Sequence, residues 1–154
     1  GARPNGYAAE LLKMAKTLGL NERVVFEPWL STRQLLPVVA QYHLALTLLR
    51  PLNDNWRYSA GASNKRFQAM AAGVPQISDN GIGVEELILE AGAGVCVDPN
   101  DPSAVAEASN SYYSDPIRVE TEGKKGRAFI TDSANYEREY APVIETIKAM
   151  EFVD

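Results

Sequence analysis

The chain has 154 residues, enough for one domain of ordinary size. Its composition, 45% hydrophobic and 23% charged, excludes wholesale disorder, and its formal charge of −5 argues against a protein that tracks the phosphates of DNA or RNA. One cysteine, Cys96, and one histidine, His43, exclude an internal disulfide and a zinc site of the usual kind.

The spacing of apolar residues, together with cap and stop residues, predicts helices that alternate with short apolar strands along the chain. The first half is predicted as a helix at 5–18 with Asn5 as its cap, a strand at 24–26, a helix at 31–41 that Pro37 interrupts or restarts, a strand at 43–49 and a polar loop at 52–63. The second half is predicted as a helix at 64–72, a strand at 75–78, a glycine turn at 79–83, a helix at 84–91, a strand at 95–97, a cap at Asp101, and helices over 103–151 with breaks near 114–116 and 131–135.

This alternation predicts an α/β fold with a Rossmann-like parallel sheet and flanking helices. Ligands of such sheets bind outside the carboxyl ends of the strands. The segments at those ends, where we therefore expect the functional residues, are 27–31, 50–63, 79–83 and 98–101.

The strand count is low for this fold. The chain starts with a predicted helix and contains four predicted strands, whereas a doubly wound sheet usually has about six. We therefore expect residues 1–154 to be a single partial domain of a longer protein, with helices over 114–154 at its carboxyl end and the central strands of the sheet before residue 1.

Positive charge is concentrated at one predicted ligand-facing edge. The segment 50–66 contains four cations and one acid, Asp54, whereas 79–107 contains seven acids and no Lys or Arg. The cations are Arg50, Arg57, Lys65 and Arg66. In a net acidic protein, this clustering is a local signal for an anion.

The predicted helix at 64–72 sharpens that signal. With Ser63 as its cap, Lys65 and Arg66 fall in the first turn, where the helix dipole makes each cation unfavourable by ~0.3–1 kcal/mol. A phosphate or diphosphate bound there would accept the free N–H groups and neutralise both side chains. The alternative, equally open on these residues alone, is that both cations extend into screened solvent.

Other residues give weaker signals. Gly81 and Gly83 would let the backbone approach a ligand closely or would form an ordinary turn. The aromatic residues Trp29, Trp56 and Tyr58 are candidates for stacking on a base or sugar. We expect His43 and Cys96 to be structural, and no serine–histidine–acid set can be assembled.

The stretch KRFQAMAAGVPQISDNGIGVEELILEAGAGVCVDPNDPSAVAEA at 65–108 resembles the donor-binding half of GT-B glycosyltransferases of the retaining group 1, or family 4. Their typical pattern is "fEAMAaGvPvIasd.gGi.Eli..g..G.lvdp.Dp.alaeai". Residues 1–30 and 35–51 are similar to the segments that precede it in that family. The resemblance implies the C-terminal domain of a GT-B fold, which binds the nucleotide sugar, while an N-terminal domain binds the acceptor and catalysis occurs between them.

The family usually carries two glutamates eight positions apart, and here Ala60 and Gln68 stand in their places. A subgroup lacks the first glutamate and carries an "S…nKlfE" segment, to which 63–68 is similar. The resemblance implies a diphosphate site formed by Ser63, Asn64, Lys65 and Arg66. It also implies ribose or sugar contacts at Gln68, Gly61, Gly81, Ile82, Gly83 and Glu86, with no catalytic residue assigned. Arg50 and Trp29, at predicted strand ends, are further candidates for base or sugar contact.

The resulting hypothesis is the nucleotide-sugar-binding domain of a retaining glycosyltransferase that is inactive as an isolated fragment. Its parent would transfer a hexose from a nucleoside diphosphate sugar, without a metal or other cofactor, to a saccharide or lipid-linked acceptor. The alternative is a degenerate, non-catalytic carbohydrate-associated binding or assembly module of the same fold, which the changes at 60 and 68 favour. A nucleotide-sugar epimerase shares the fold, but its acid–base residues are not found in this sequence.

The sequence also suggests where the parent protein acts and with which partners. Neither an apolar stretch of roughly 20 residues nor a basic-then-apolar leader is present in the sequence, so we expect a cytoplasmic protein. The expected partners are the nucleotide-sugar donor and the N-terminal acceptor domain of the same parent, with no nucleic acid. A lipid-linked acceptor would bring the parent to the membrane surface.

Overall fold

The structure, a computed structural model, describes residues 6–150. Its helices are α1 Gly6–Thr17, α2 Thr32–Val39, α3 Asp54–Arg57, α4 Asn64–Ala72, α5 Val84–Ala91, α6 Pro102–Tyr113, α7 Pro116–Asp132 and α8 Tyr136–Ala149. Its strands are β1 Ala45–Thr47, β2 Gln76–Asp79 and β3 Gly94–Val97. The predicted cap Asn5 and the predicted helical residue 151 lie outside the described residues.

The three strands form a parallel sheet in the order β1-β2-β3. Ile77 of β2 pairs with Leu46 of β1 and with Val95 of β3. The central strand β2 is buried along its whole length because neighbouring strands and helices cover it. The predicted Rossmann-like α/β architecture is confirmed.

The hydrophobic core lies between this sheet and the helices that follow its strands. Its centre consists of five buried residues, Met70, Val84, Ile88, Ala91 and Ala93. Helices α4 and α5 end at Gly73 and Gly92, both in the left-handed conformation that stops a helix, so each chain segment turns directly into the next strand.

Helices α4 and α7 pack unusually closely. A Cβ atom on Gly123 of α7 would lie 2.2 Å from the carbonyl oxygen of Gly73, and one on Gly126 would lie 2.9 Å from the Cβ of Ala93. These two glycines are buried on the face of α7 that contacts α4. The position of α4 therefore depends on α7 having no side chain at these points.

The carboxyl-terminal helices begin as their sequences predict. The Asp101 carboxylate accepts hydrogen bonds from the N–H groups of Ser103 and Ala104, and Pro102 occupies the first helical position. Asp115 and Asn135 cap α7 and α8 in the same way. The predicted breaks near 114–116 and 131–135 are confirmed.

Three local predictions are wrong. Residues 24–26 form no strand, since the N–H of Val24 bonds back to Leu20 and no neighbouring strand pairs with them within 6–150. Pro37 does not break α2, which continues to Val39. The predicted loop at 52–63 contains the short helix α3, which begins where the Asn53 side chain accepts the N–H of Trp56.

The chain divides into two compact units, Gly1–Leu35 and Leu36–Asp154. Within the described residues, the first unit contains α1 and the start of α2. The second contains the end of α2, the whole sheet and helices α3 to α8. In the part of the chain that the structure describes, no helix has the length and apolar character needed to cross a bilayer.

Candidate functional site

The carboxyl ends of the three strands lie at one edge of the sheet, within the second unit. The segments that leave this edge are 48–63, 80–83 and 98–101, and helices α4 and α5 start beside it. The fourth predicted segment, 27–31, lies in the first unit, where the Trp29 side chain is largely exposed. The site described below belongs to the second unit alone.

The start of α4 is open to a ligand. Ser63 has extended backbone geometry but its side chain makes no capping hydrogen bond. Among residues 6–150, no acceptor is found for the backbone N–H groups of Asn64 and Lys65. The Lys65 ammonium is exposed and lies within ion-pair distance of no carboxylate in that range.

Arg66 contradicts its predicted role. Its side chain is completely buried, and its guanidinium forms an ion pair with Asp79, with 2.5 Å between Nη2 and Oδ2. Nε donates to Ser78 Oγ at 3.0 Å and Nη1 donates to the Ser59 carbonyl at 2.9 Å. The charge that was expected to meet a diphosphate is thus neutralised inside the protein, so the electrostatic argument holds for Lys65 and not for Arg66.

Asp79 stabilises the loops on either side of it. Its Oδ2 atom also accepts the N–H of Leu49 at 3.1 Å, and Oδ1 accepts the N–H of Gly81 at 3.1 Å. A Cβ on Gly81 would lie 2.7 Å from Oδ1, so the glycine is required for this close approach. The Gly81 backbone thus closely approaches the protein's own Asp79 carboxylate, and its contact with a ligand stays a prediction.

The polar network continues beneath the site. Thr47 Oγ1 donates to Gln76 Oε1 at 2.8 Å and lies 3.0 Å from Ser78 Oγ, while Gln76 Nε2 donates to the Arg66 carbonyl at 3.3 Å. Sequence analysis missed this network. One signal was available: Arg66 precedes the core residues Ala69 and Met70 by three and four positions, which places it on the buried face of α4.

Ser59 and Ala60 connect the loop before α4 to the rest of the edge. The Ser59 carbonyl accepts the N–H groups of Ala62 and Ser63 as well as the Arg66 guanidinium. The Ser59 hydroxyl is buried and has no hydrogen-bond partner within the described part of the chain. A Cβ on Gly83 would lie 3.4 Å from that of Ala60, so this loop contacts the glycine turn.

The start of α5 is also without a side-chain cap, because its cap residue is Gly83, at a φ of 72°. Glu85 and Glu86 occupy its first turn, where a carboxylate is favourable, and both are exposed. Ile82 is exposed at the turn before it. Gln68 is half-buried on α4, one turn after Asn64.

A cavity of about 220 Å³ lies at this edge of the sheet. Its lining combines apolar, aromatic and polar side chains with the backbone of the glycine turn: Leu49, Pro51, Trp56, Arg57, Asp79, Asn80, Gly81, Ile82 and Pro99. The Arg57 guanidinium is half exposed and is 3.9 Å from the Asp54 carboxylate. Together with Arg50 and Lys65, it leaves three exposed cations where four were counted in the sequence.

His43 and Cys96 take no part in this edge. His43 precedes β1 and lines a separate cavity of about 610 Å³ with residues of α6 and α7. Burial raises the pKa of the Cys96 thiol to about 11, and the Glu85 and Asp79 carboxylates add to that shift, which fits the inert role predicted for it. Within the described residues, no group of three or more acidic, histidine or cysteine side chains is placed to hold a metal ion.

The chain resembles a solved structure across nearly its whole length. Sucrose-phosphate synthase from Thermosynechococcus elongatus superposes with a TM-score of 0.73 at 21% identity, over 97% of this chain and 37% of the synthase. This likeness shows the fold, and the chain spans little more than a third of that relative. Among the curated proteins, none matches the sequence significantly.

The family is shown by sequence. Residues 1–115 match the family model described as glycosyl transferases group 1, which is about three quarters of the chain. The matched region contains the whole sheet and the starts of both α4 and α5. The chain therefore belongs to the group 1 glycosyltransferases.

Proposed function

We propose that this chain is the nucleotide-sugar-binding domain of a retaining glycosyltransferase. The observation that carries the proposal is the start of α4, a helix of nine residues that begins at the carboxyl edge of the sheet without a side-chain cap. Its first N–H groups have no acceptor within residues 6–150, and Lys65 beside them is exposed. Membership of the group 1 glycosyltransferases makes a nucleotide sugar the expected ligand. The electrostatic part of the proposal rests on Lys65, since Arg66 is paired internally.

The diphosphate would be held by Ser63, Asn64 and Lys65. Backbone N–H groups at a helix start point toward a bound anion, and the helix dipole favours negative charge there. When the bond to the sugar breaks, negative charge grows on the leaving diphosphate. Preorganised donors and a cation aimed at that charge would stabilise the transition state more than the bound substrate.

The remaining site residues are proposed by position. Gln68 would offer its amide to the ribose hydroxyls, and Gly61, Gly81, Ile82 and Gly83 would border the nucleotide or the sugar. The Glu86 carboxylate would accept hydrogen bonds from sugar hydroxyls. Arg50 and Trp29 are proposed for base or sugar contact, and the acceptor-binding domain is proposed to belong to the same full-length protein.

The second candidate is a binding or assembly module without catalysis. It is favoured by Ala60 and Gln68, which replace the two glutamates usual in the family. Ala60 packs partly buried against the core, and its Cβ faces Gly83. Neither residue can supply a carboxylate next to the donor.

Calorimetric titration of the full-length protein with UDP, GDP and ADP tests the proposal. Replacing Lys65 by Met should weaken binding of the preferred nucleoside diphosphate at least tenfold, because a charge-assisted hydrogen bond contributes about 1.5–3 kcal/mol. The matched control is Lys124→Met, on the exposed face of α7, which should leave affinity unchanged.

Two outcomes contradict the proposal: no nucleoside diphosphate binds, or the two lysine variants bind equally well. Assaying release of sugar from the matching nucleotide sugar then separates the two candidates. Tight binding with slow hydrolysis of the donor supports the transferase, whereas tight binding without any turnover supports the module.

A further inference from the structure

The Arg66–Asp79 ion pair is buried, with 0% and 4% of the two side chains exposed. Burial of two charges costs solvation that their attraction does not always recover, and apolar residues of similar volume often stabilise such a position equally well. The stability of the hydrophobic core therefore does not explain why charged residues occupy these two positions. The hydrogen bonds that the pair makes with the surrounding loops offer an explanation.

We propose that the Arg66–Asp79 ion pair positions the donor site, by holding three ligand-facing loops at fixed distances from one another. These are the loop after β1 and the loop before α4, which lie on either side of α3 within segment 48–63, and the turn after β2. The inference rests on the proposed function, because it assigns these two residues a role in nucleoside diphosphate binding. Both residues act through the loops that they hold.

Each of the three loops is fixed to the pair by a backbone atom. The loop after β1 donates the N–H of Leu49 to Asp79, and the turn after β2 donates the N–H of Gly81 to the same carboxylate. The loop before α4 offers the Ser59 carbonyl to Arg66. These atoms lie outside helices and strands, so no regular hydrogen-bond ladder fixes them.

The Ser59 carbonyl transmits the position of the guanidinium to the start of α4. It accepts the N–H groups of Ala62 and Ser63 in addition to Nη1 of Arg66. Moving Ser59 would therefore move Ser63, the residue from which α4 begins. The direction of the free N–H groups of Asn64 and Lys65 depends on this contact.

The pair is itself held in one geometry. Ser78 Oγ accepts Nε of Arg66, Thr47 lies against Ser78, and Gln76 donates to the Arg66 carbonyl. The planar guanidinium thus uses three separate N–H donors on three different partners, which an ammonium on a lysine stem cannot reproduce. A binding site gains affinity when its supporting groups are fixed before the ligand arrives.

The test compares four variants of the full-length protein. Arg66→Met leaves a buried carboxylate without its partner, and Arg66→Lys keeps the charge but loses the three-way contact. Arg66→Met combined with Asp79→Val removes both charges, so its stability should return toward that of the wild type. Lys124→Met, which removes an exposed ion pair on α7, is the control.

The first readout is amide hydrogen exchange without any nucleotide. We expect the amides of Leu49 and Gly81 to exchange at least tenfold faster in the double variant than in the wild type, with core amides of β2 unchanged. The second readout is affinity for the preferred nucleoside diphosphate, which should fall at least tenfold in the double variant and also in Arg66→Lys. The control should match the wild type in both.

The outcomes separate this inference from the proposed function. If the double variant regains both stability and wild-type exchange at Leu49 and Gly81, the pair is not a positioning device. If exchange accelerates but affinity is unchanged, the loops are held by the pair but the donor site does not depend on them, and the inference is overturned. If exchange accelerates and the wild type binds no nucleoside diphosphate, the loops are positioned as inferred and the proposed function fails.

Discussion

Two groups of helices in the second unit begin in different ways. Helices α6, α7 and α8 each start with an Asp or Asn whose side chain accepts N–H groups of the first turn. Helices α4 and α5, which start beside the carboxyl edge of the sheet, follow Ser63 and Gly83 and have no such bond. The cap side chains of the first group satisfy one or two backbone donors each, whereas those of the second group satisfy none.

Within one small domain, the helices with side-chain caps thus contribute to stability, whereas the two helices without them border the proposed site. A side-chain cap contributes about 1 kcal/mol to stability, so its absence at two helices has a cost. The cost falls on the two helices that surround the proposed donor site, and the segments before these helices form hydrogen bonds with Arg66 and Asp79. The four predictions below test this separation and the contacts on which it depends.

The largest effect is expected where the two groups of helices meet. A methyl group at Gly123 of α7 would lie 2.2 Å from the Gly73 carbonyl oxygen, a backbone atom that cannot turn aside. Gly123→Ala should therefore lower the free energy of unfolding by about 1–3 kcal/mol, measured by urea denaturation. Gly61→Ala, where an added Cβ meets open space, should have no effect, and equal losses in both variants would contradict the close contact.

A smaller effect distinguishes the two kinds of helix start directly. Asp101→Ala should lower the free energy of unfolding by about 1 kcal/mol, because two hydrogen bonds to the first turn of α6 are lost. Ser63→Ala should leave stability unchanged, because that hydroxyl caps nothing, and should weaken nucleoside diphosphate binding. A Ser63→Ala variant that is destabilised but binds nucleoside diphosphate normally would show that Ser63 acts as a cap and not as a ligand contact.

The smallest effect concerns the contact between α6 and α7. The buried Tyr112 hydroxyl donates to Glu122 at 2.5 Å, and Arg118 lies over its ring. Tyr112→Phe should lower the free energy of unfolding, measured by urea denaturation, by only about 0.5 kcal/mol, because one hydrogen bond is lost but Glu122 keeps its bond to Arg118. The neighbouring Tyr113, which is 88% exposed, provides the control, since Tyr113→Phe should be neutral.

The same variant has a defined pH dependence. Burial, followed by the hydrogen bond to Glu122, raises the pKa of Tyr112 above its usual range. Above about pH 10 the Tyr112 phenol loses its proton in the unfolded chain but keeps it in the native state. The free energy of unfolding of the wild type therefore falls as the pH rises. The stability difference between wild type and Tyr112→Phe should therefore narrow above pH 10, and a constant difference would contradict the raised pKa.

Sequence reasoning predicted the elements that depend on local signals. Apolar spacing, glycine stops and the Asp101-Pro102 start were sufficient for α4 to α8, β2 and β3, because each of these elements carries its own signal. The prediction of a strand at 24–26 was wrong because a strand forms only beside a neighbouring strand. The pattern of apolar residues cannot show whether such a neighbour is present. Asn53, a cap residue within the supposed loop, was the overlooked signal for α3.

The site was predicted less completely than the fold. Its location at the carboxyl ends of the strands followed from topology, and Lys65 is exposed there as the charge argument requires. Arg66, unlike Lys65, is buried because it pairs with Asp79. That residue is thirteen positions away in the sequence, so the contact forms only in the folded chain. Charge counting treated the two residues as members of separate clusters, although they neutralise each other.

The contact between Ala60 and Gly83 limits how the glycine turn can be altered. Any larger residue at position 83 would have to adopt a left-handed backbone and place its Cβ 3.4 Å from that of Ala60. Redesign of the 81–83 turn should therefore keep glycine at position 83.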